Sequence, residues 1–565
     1  MSGPLAAAPG GGVLATALAE ALPRLCAPGA AEDARLLGLI RALGAALEAG
    51  ELELDLAAAA PEALDAEGWP QAYRAALERS PLAVRAENLT QAPEAPLVLV
   101  GTRLRWRRWH LQLERTLTAL VQRAGAPLPQ APGADALAAA RREAAAAGLD
   151  ASQQRGVVAA LGQRLLLLSG GPGTGKTSTV VHLLRAVLQH QPALRLQLAA
   201  PTGKAAARLR EAIERAEREL PAAQAQALLA APCSTLHRLL ESSGERFGRD
   251  ARRPLELDLL VVDELSMVDL PLMAALLEAL PATCRLVLVG DPGQLPPVGL
   301  GSVLQQLMEP PWLAQLGAAA VELGTGYRNA GAIAAVAAEL RHAGPVPLQW
   351  LVPRLRTLGP ADNLRWRQAP AGQPPTDTLE ALRQHQRRLG TLAAALPWDG
   401  ADVAAAEAMQ ALLAEVERCV ALTPVRQGPW GVDGLHRQLL GELASQPLAR
   451  WPIGTPVLNQ RNLPEQGLAN GDVGVLVGCG GERRVLFSGG RVLHPARLGQ
   501  TQPALALTVH KSQGSQYATV WLLLPPGRDW DARLLYTGLT RARDQAWLVT
   551  PGPHASAHGP STAAA

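Results

Sequence analysis

The chain has 565 residues, of which 48% are hydrophobic and 3% aromatic, and this length allows roughly three or four domains. A net charge of +3 is too small to indicate nucleic-acid binding by itself, and the five cysteines lack metal-binding spacing. No apolar run is long enough to span a bilayer and the start lacks a signal-peptide pattern, so we expect a soluble intracellular protein.

Residues 1–145 are predicted to form one mostly helical domain. Within it, residues 96–117 indicate a short strand followed by a helix that carries Arg103, Arg105, Trp106, Arg107, Arg108 and Trp109. A basic patch with interleaved tryptophans could stack on nucleic acid. The alternative is an exposed helix face with two tryptophans in a core or an interface. Residues 126–136 are rich in proline and glycine and are typical of a linker.

From residue 151 onward, apolar strands alternate with helical stretches, which predicts an α/β fold with parallel sheets. The first such unit is placed at 146–322, and the second at 323–447 and 501–553. Short strands rich in glycine and proline between them, at 448–500, predict a small inserted β module. Residues 554–565 are expected to be a disordered tail.

The first chemical motif is G-x-x-x-x-G-K-T, which follows an apolar strand and precedes a helix. Its glycines allow backbone N–H groups to wrap the phosphates of a nucleotide, and the lysine neutralises their charge. The threonine hydroxyl can bind Mg²⁺. The predicted nucleotide-binding residues are Gly170, Gly171, Pro172, Gly173, Thr174, Gly175, Lys176 and Thr177.

An acidic pair follows a second buried strand. Asp263 ends that strand and can help Thr177 to hold Mg²⁺, and Glu264 can polarise the attacking water. A phosphate loop followed by such a pair predicts an NTP hydrolase.

Three further strand ends indicate what the hydrolysis drives. Gln294 can sense the γ-phosphate, and Thr202 and Lys204 lie where a polynucleotide backbone could run. His237 begins a helix in a similar position. Taken singly, each segment also fits an ordinary turn or helix start, so none of them decides the function alone.

Together and in this order, these segments resemble the motifs of superfamily 1 helicases, and LGTGYRN, ALTVHKSQGSQY and LYTGLTRAR continue the match. The resemblance implies two RecA-like P-loop lobes and ATP as the nucleotide, with Gln153 reading adenine. It also implies that Arg328 and Arg541 reach the γ-phosphate from the second lobe. Arginine suits this task because its planar fork donates bidentately and keeps its charge.

The amino-acid sequences of these motifs are most similar to those of the RecD family, the α subunits of exodeoxyribonuclease V (RecBCD). That resemblance implies a bacterial cytoplasmic helicase that moves 5′→3′ on single-stranded DNA, with RecB and RecC as partners in processing double-strand ends. It implies a hairpin near 241–256, an SH3-like module at 448–500, and an N-terminal domain that docks on RecC. The DNA contacts that it implies are Pro201, Thr202, Lys204, His237, Asn470, Thr508, His510 and Lys511.

Two positions depart from the family pattern. Gln516 stands where the family usually has a glutamate that bonds the ribose, and Asp150 replaces a more usual asparagine. Because glutamine can still donate and accept hydrogen bonds, we expect a weakened contact between Gln516 and the ribose rather than a lost one.

Three other functions are alternatives to this interpretation. A stand-alone helicase of the same superfamily would unwind DNA without RecB and RecC. A structural subunit that only binds DNA ends is disfavoured, because the residues needed for hydrolysis are all present. A nuclease would need a separate cluster of carboxylates and lysine, which the sequence lacks, so nuclease activity is expected in a partner.

Overall fold

The computed structural model describes residues 12–26, 33–216, 222–244, 246–324, 331–341, 347–369, 372–396, 403–479, 481–526 and 530–552. None of the helices in these ranges has the length and apolar character needed to cross a membrane. The predicted residue Arg328 and the predicted tail at 554–565 lie outside the described residues.

The N-terminal region combines helices with a small mixed sheet, in the strand order β1-β4-β3-β2. Its elements are α1 (Val13–Cys26), α2 (Ala34–Glu48), β1 (Glu53–Asp55), α3 (Gln71–Arg79), β2 (Ala83–Arg85), β3 (Leu97–Val100), β4 (Arg103–Trp106), α4 (Arg107–Gly125) and α5 (Ala134–Ala146). The prediction of one strand followed by a helix that begins before Arg103 was wrong. Gly101, with φ of 60°, turns the chain into a second strand, so Arg103 and Arg105 lie on β4.

The two tryptophans of this segment pack inside the chain. Trp106 is buried in the N-terminal core, and its indole N–H donates to the Leu43 carbonyl at 3.4 Å. Trp109 is half-buried between that core and the core of the first lobe, with the Arg108 guanidinium 4.7 Å from its ring centre. Of the two alternatives, the structure therefore favours tryptophans in a core and an interface over stacking on nucleic acid.

The first lobe is a six-stranded parallel sheet in the order β10-β5-β9-β8-β6-β7. Its elements are α6 (Ala151–Gly162), β5 (Leu165–Gly170), α7 (Lys176–His190), β6 (Leu196–Ala200), α8 (Gly203–Ala216), α9 (Ala222–Ala230), β7 (Cys233–Thr235), α10 (Leu236–Leu239), β8 (Leu259–Val262), α11 (Leu270–Ala279), β9 (Arg285–Gly290), α12 (Val303–Leu307), α13 (Pro310–Leu316) and β10 (Ala320–Leu323). The inner strands are buried throughout because helices cover both faces of the sheet.

The first lobe also takes in part of the N-terminal region. Leu113, Leu117 and Leu120 of α4 belong to the lobe's buried core. Arg103 on β4 pairs with Glu309 at 2.6 Å, and the Gly301 N–H donates to the Gly50 carbonyl at 2.9 Å. The N-terminal region is therefore packed firmly onto this lobe.

The second lobe is a five-stranded parallel sheet in the order β11-β20-β19-β12-β18. Its elements are α14 (Ala332–Leu340), α15 (Pro347–Leu355), β11 (Leu364–Ala369), α16 (Thr376–Ala394), α17 (Val403–Val416), β12 (Cys419–Thr423), α18 (Val432–Leu440), β18 (Ala506–Thr508), β19 (Tyr517–Leu523), α19 (Ala532–Leu539) and β20 (Ala542–Pro551). The predicted class, two parallel α/β lobes, is confirmed.

An antiparallel sheet, in the order β16-β15-β14-β13-β17, interrupts the second lobe. Its strands are β13 (Pro456–Asn459), β14 (Val473–Cys479), β15 (Glu482–Phe487), β16 (Arg491–Leu493) and β17 (Thr501–Pro503). It lies against the first lobe, since a Cβ at Gly203 would overlap Ala469. The segment expected to form a hairpin, 241–256, shows one bridge between described residues, Ser243 with Arg246.

Candidate nucleotide site and inter-lobe cleft

The phosphate loop joins buried strand β5 to helix α7. Gly173 and Gly175 have φ of 74° and 79°, a backbone region that favours glycine. The Lys176 ammonium donates to the carbonyls of Gly170 and Gly171 at 2.7 and 2.9 Å, and so folds back over the loop. The helix N-terminus and this ammonium together make an anion-binding end, which fits the phosphates of a nucleotide.

The acidic pair lies at the end of β8, beside the loop. The Asp263 N–H is anchored on the Ala199 carbonyl at 2.9 Å, and the Glu264 N–H donates to Asp263 Oδ1 at 2.9 Å. Burial, and secondarily the nearby Glu264 carboxylate, raise the pKa of Asp263 to about 7. Glu264 itself has φ of 52°, a strained conformation for a residue with a side chain.

This pair fits a hard cation. Asp263 and Thr177 line the same cavity, and two neighbouring half-buried carboxylates are stabilised by a positive charge. Within the described ranges, no cluster of three or more His, Cys, Asp or Glu residues could hold a metal. Mg²⁺ would therefore take one or two protein oxygens here and complete its shell with phosphate and water, as it commonly does.

The predicted sensor residue, Gln294, is buried behind β9. Its side-chain N–H donates to Asp291 Oδ2 at 3.2 Å, and the Tyr536 hydroxyl of the second lobe donates to the same oxygen at 2.9 Å. The Gln294 side-chain oxygen is buried and has no hydrogen-bond partner among the described residues. A buried acceptor without a partner is costly, so a donor outside the described residues, such as a water at a bound nucleotide, would stabilise this oxygen.

Leu295, which follows the predicted sensor Gln294, is held by side chains of the second lobe at both its backbone N–H and its backbone carbonyl. The Leu295 N–H donates to Thr537 Oγ1 at 2.8 Å, and the Gln513 side chain donates to the Leu295 carbonyl at 3.2 Å. Gly514 then lies against Thr202 of the first lobe. A Cβ placed on this glycine would be 3.5 Å from Thr202 Oγ1. The two lobes are thus linked directly beside the sensor.

Of the two predicted γ-phosphate arginines, Arg328 lies outside the described residues and Arg541 lies within them. Arg541 is buried in its own lobe, where it donates to the carbonyls of Thr537 at 3.1 Å and Ser515 at 3.3 Å. Sequence reasoning missed another arginine, Arg341, whose guanidinium lies beside Gly171. Its only signal in the sequence is a lone cation after a helix, which is typical of any helix C-terminus.

Gln153 is buried, and both ends of its side-chain amide are used. Its oxygen accepts from the Asp150 N–H at 3.0 Å, and its N–H donates to the Thr174 carbonyl at 3.2 Å. Asp150 caps α6 by accepting from the backbone N–H groups of Ser152 and Gln153. An aspartate serves as well as an asparagine at an N-cap, so this departure from the family pattern leaves the local structure intact.

A cavity of about 970 Å³ lies between α7, α8, the second lobe and the β module. Its lining residues include Thr177, Asp263 and Gln516. Lys204 also lines it, with its ammonium 5.7 Å from the Tyr517 ring centre. Burial, and then the nearby Arg208, lower the pKa of Lys204 to about 8.

Two of the predicted DNA-binding residues lie at the cleft: Lys204 lines this cavity, and Thr202 lies at the junction between the lobes, against Gly514. Asn470 is exposed on the β-module turn that packs against Gly203, beside Lys204. Lys511 is exposed, and its N–H donates to Thr508 Oγ1 at 3.3 Å. Burial lowers the pKa of the half-buried His510. His237 is exposed on α10 of the first lobe, near Asp269.

Two family models match the chain, an AAA domain at residues 153–300 and a UvrD-like helicase C-terminal domain at residues 503–549. The chain is 37% identical to a RecBCD enzyme subunit RecD of Mycolicibacterium smegmatis over 70% of each chain. It is 34% identical to a RecBCD enzyme subunit RecD of Mycobacterium tuberculosis over 95% of this chain and 91% of the relative.

An ATP-dependent RecD2 DNA helicase of Deinococcus radiodurans is 33% identical over 77% of this chain and 53% of the relative. The phosphate loop, the acidic pair and the residues of the inter-lobe contact all fall inside the two segments that the family models match. On identity and coverage, the chain belongs to the RecD family.

Proposed function

We propose that this chain is an ATP-dependent DNA helicase that moves 5′→3′ along single-stranded DNA, as the motor subunit of a RecBCD-type enzyme. The observation that carries the proposal is a pair of hydrogen bonds between the lobes. Thr537 and Gln513 of the second lobe bond the backbone N–H and carbonyl of Leu295, which follows the proposed sensor Gln294. Because the lobes are linked at that residue, a change at the γ-phosphate is transmitted to the position of the second lobe.

The roles of the residues follow from their positions. Lys176 and the loop N–H groups hold the phosphates, and Glu264 and Gln294 orient the attacking water. Thr177 and Asp263 would hold Mg²⁺, which when bound neutralises charge on the β- and γ-phosphates. Gln516, in the same cavity, is assigned to the ribose.

The names of the relatives support the assembly that we propose. RecB and RecC are the proposed partners, double-strand DNA ends and single-stranded DNA the substrates, and the bacterial cytoplasm the location. The complex would process ends for recombinational repair and degrade linear DNA, with the nuclease activity in a partner.

The test is ATPase activity with and without single-stranded DNA, on the chain co-expressed with RecB and RecC. Lys176→Gln should abolish turnover contributed by this chain, because it removes the ammonium from the phosphate loop. Lys204→Gln, which removes a cation elsewhere in the cleft, should keep basal turnover and lose part of the DNA stimulation. To separate turnover by this chain from any turnover by its partners, the same variants are compared in a complex in which a phosphate loop of the partner subunits, where one is present, is inactivated.

Full DNA-stimulated turnover by Lys176→Gln in that complex would refute the proposal. A chain that does not co-purify with RecB and RecC, yet unwinds DNA alone, would instead support the stand-alone alternative. DNA affinity should also fall with salt, at a log–log slope of about −0.7 per phosphate contact.

A further inference from the structure

One cation of the second lobe reaches into the nucleotide site of the first. Helix α14 is fixed in the second lobe by Ile333, Val336 and Leu340, which belong to that lobe's buried core. Arg341 follows the last residue of this helix. Its side chain therefore starts from a rigid support on the far side of the cleft.

The side chain of Arg341 crosses two glycines of the first lobe. A Cβ placed on Gly293, next to Gln294, would lie 3.1 Å from Arg341 Cγ. A Cβ placed on Gly171 of the phosphate loop would lie 3.6 Å from Arg341 Nη1 and 3.8 Å from its Cζ. A side chain at Gly293 would press on the aliphatic part of Arg341, and the guanidinium lies within van der Waals reach of Gly171, so the arginine runs along both glycines to the phosphate loop.

The present partner of Arg341 is weakly held. Its guanidinium lies 3.7 Å from a carboxylate oxygen of Glu322, whose side chain is 60% exposed. Glu322 is on β10, in register with Ser169 of the strand that leads into the phosphate loop. The Arg341 side chain is 22% exposed, and a long ion pair whose carboxylate is mostly in solvent contributes little, so a phosphate at the loop would compete well for the same guanidinium.

Arg541 is in the opposite situation. It would have to give up hydrogen bonds to two backbone carbonyls and leave a buried position before it could reach a phosphate. Leaving two buried carbonyls without their donor costs free energy. Arg341 needs only to exchange one exposed carboxylate for a phosphate.

We propose that Arg341 binds the terminal phosphate of ATP from the second lobe and leaves Glu322 when it does so. This inference rests on the proposed ATPase function and adds a contact to it. A guanidinium supplied across the cleft would favour ATP over ADP and would stabilise the charge that develops during phosphoryl transfer.

The matched control is Arg354. It lies on α15 of the same lobe and pairs with Glu339 at 3.5 Å, so it is also an arginine in a partly exposed ion pair. Arg354→Ala therefore reproduces the loss of charge and of an ion pair while leaving the phosphate loop alone.

The experiment compares Arg341→Ala, Arg341→Lys and Arg354→Ala in the full chain, within the complex if the chain co-purifies with partners. DNA-stimulated kcat and KM are measured together with the Kd for ADP and for ADP with aluminium fluoride, a mimic of the transferring phosphate. As in the test of the proposed function, a phosphate loop of the partner subunits, where one is present, is inactivated.

Arg341→Ala should lower kcat and the affinity for ADP with aluminium fluoride at least tenfold each, and leave the Kd for ADP within about twofold. Arg341→Lys should recover part of the loss, because it restores the charge but not the bidentate fork. Glu322→Gln should not weaken binding of the transition-state mimic, because it only releases the arginine.

Equal losses of affinity for ADP and for the mimic, or an Arg341→Ala variant that behaves like Arg354→Ala, would overturn the inference. If alanine lowers the Tm, Arg341→Gln keeps most of the packing against Gly293, and the same comparison of ligands decides. A wild-type chain without DNA-stimulated turnover would refute the proposed function, whereas normal turnover in Arg341→Ala would refute only the role of Arg341.

Discussion

The hydrogen bond from the Leu295 N–H to Thr537 Oγ1 can be removed almost without changing shape. Thr537→Val replaces the hydroxyl by a methyl group and leaves a buried N–H without its acceptor. Losing a buried hydrogen bond in this way costs about 1–3 kcal/mol. The arrangement of the lobes seen here should therefore lose population by a factor of about 5 to 150.

The hydrogen-exchange rate of the Leu295 amide measures the loss of this bond directly. The DNA-stimulated ATPase rate measures its effect on coupling between the lobes. In Thr537→Val the amide should exchange faster by up to the same factor, and the ratio of stimulated to basal turnover should fall. The reason is that Gln294 is no longer tied to the second lobe through its neighbour.

Thr540→Val is the matched control. Thr540 is equally buried on the same segment, but its hydroxyl donates to the carbonyls of Tyr536 and Thr537 inside its own lobe. Both variants should cost the second lobe comparable stability, and only Thr537→Val should uncouple DNA from hydrolysis. Equal effects of the two variants on stimulation and on Leu295 exchange would show that the bond has no coupling role.

Other predictions concern stability. Arg105→Met should destabilise the N-terminal region by about 2 kcal/mol in urea unfolding, because it removes the charged hydrogen bonds of a buried guanidinium to the half-buried Glu53, which keeps Arg103 as its second partner. Arg103→Met, at a half-exposed pair, should cost about 1 kcal/mol. Gly203→Ala should lower the Tm although alanine favours helices, because its Cβ would displace Ala469 of the β module. Burial lowers the pKa of His436 from 6.5 to about 4, so the unfolded state binds the extra proton in that window. Stability should fall by up to about 3 kcal/mol as pH drops from 6.5 to 4, and His436→Asn should flatten that part of the Tm profile.

The phosphate loop and the acidic pair could be predicted because their chemistry is local. Gly173 and Gly175 take the positive φ that the loop requires, and a run of buried residues marks each strand that delivers the site. The alternation of such strands with helices also predicted the two parallel sheets. In these parts the local pattern and the fold agree.

The rest could not be predicted because it depends on contacts between distant segments. Nothing near Leu295 in the sequence shows that its two backbone groups are bonded by Gln513 and Thr537, more than 200 residues away. Arg341 looks like any cation at a helix end until the fold brings it to Gly171. The hairpin β3–β4 was missed for a different reason, since a run of arginines and tryptophans fits a helix as well as a strand.

The segment from Thr508 to Gly514 explains how a DNA contact could act on the sensor. Lys511 is exposed, whereas Gln513, two residues later, is buried and bonded to the Leu295 carbonyl. Two residues span at most ~7 Å, so a backbone shift caused by a ligand at Lys511 has little chain in which to dissipate. Gly514, with φ of 70°, then turns the chain back against Thr202. Because Thr202 follows a strand next to the one that leads to Asp263, the C-terminal end of this short segment touches the edge of the sheet where hydrolysis is proposed to occur. A single rigid turn can therefore report on DNA and on the nucleotide without any large movement of its own.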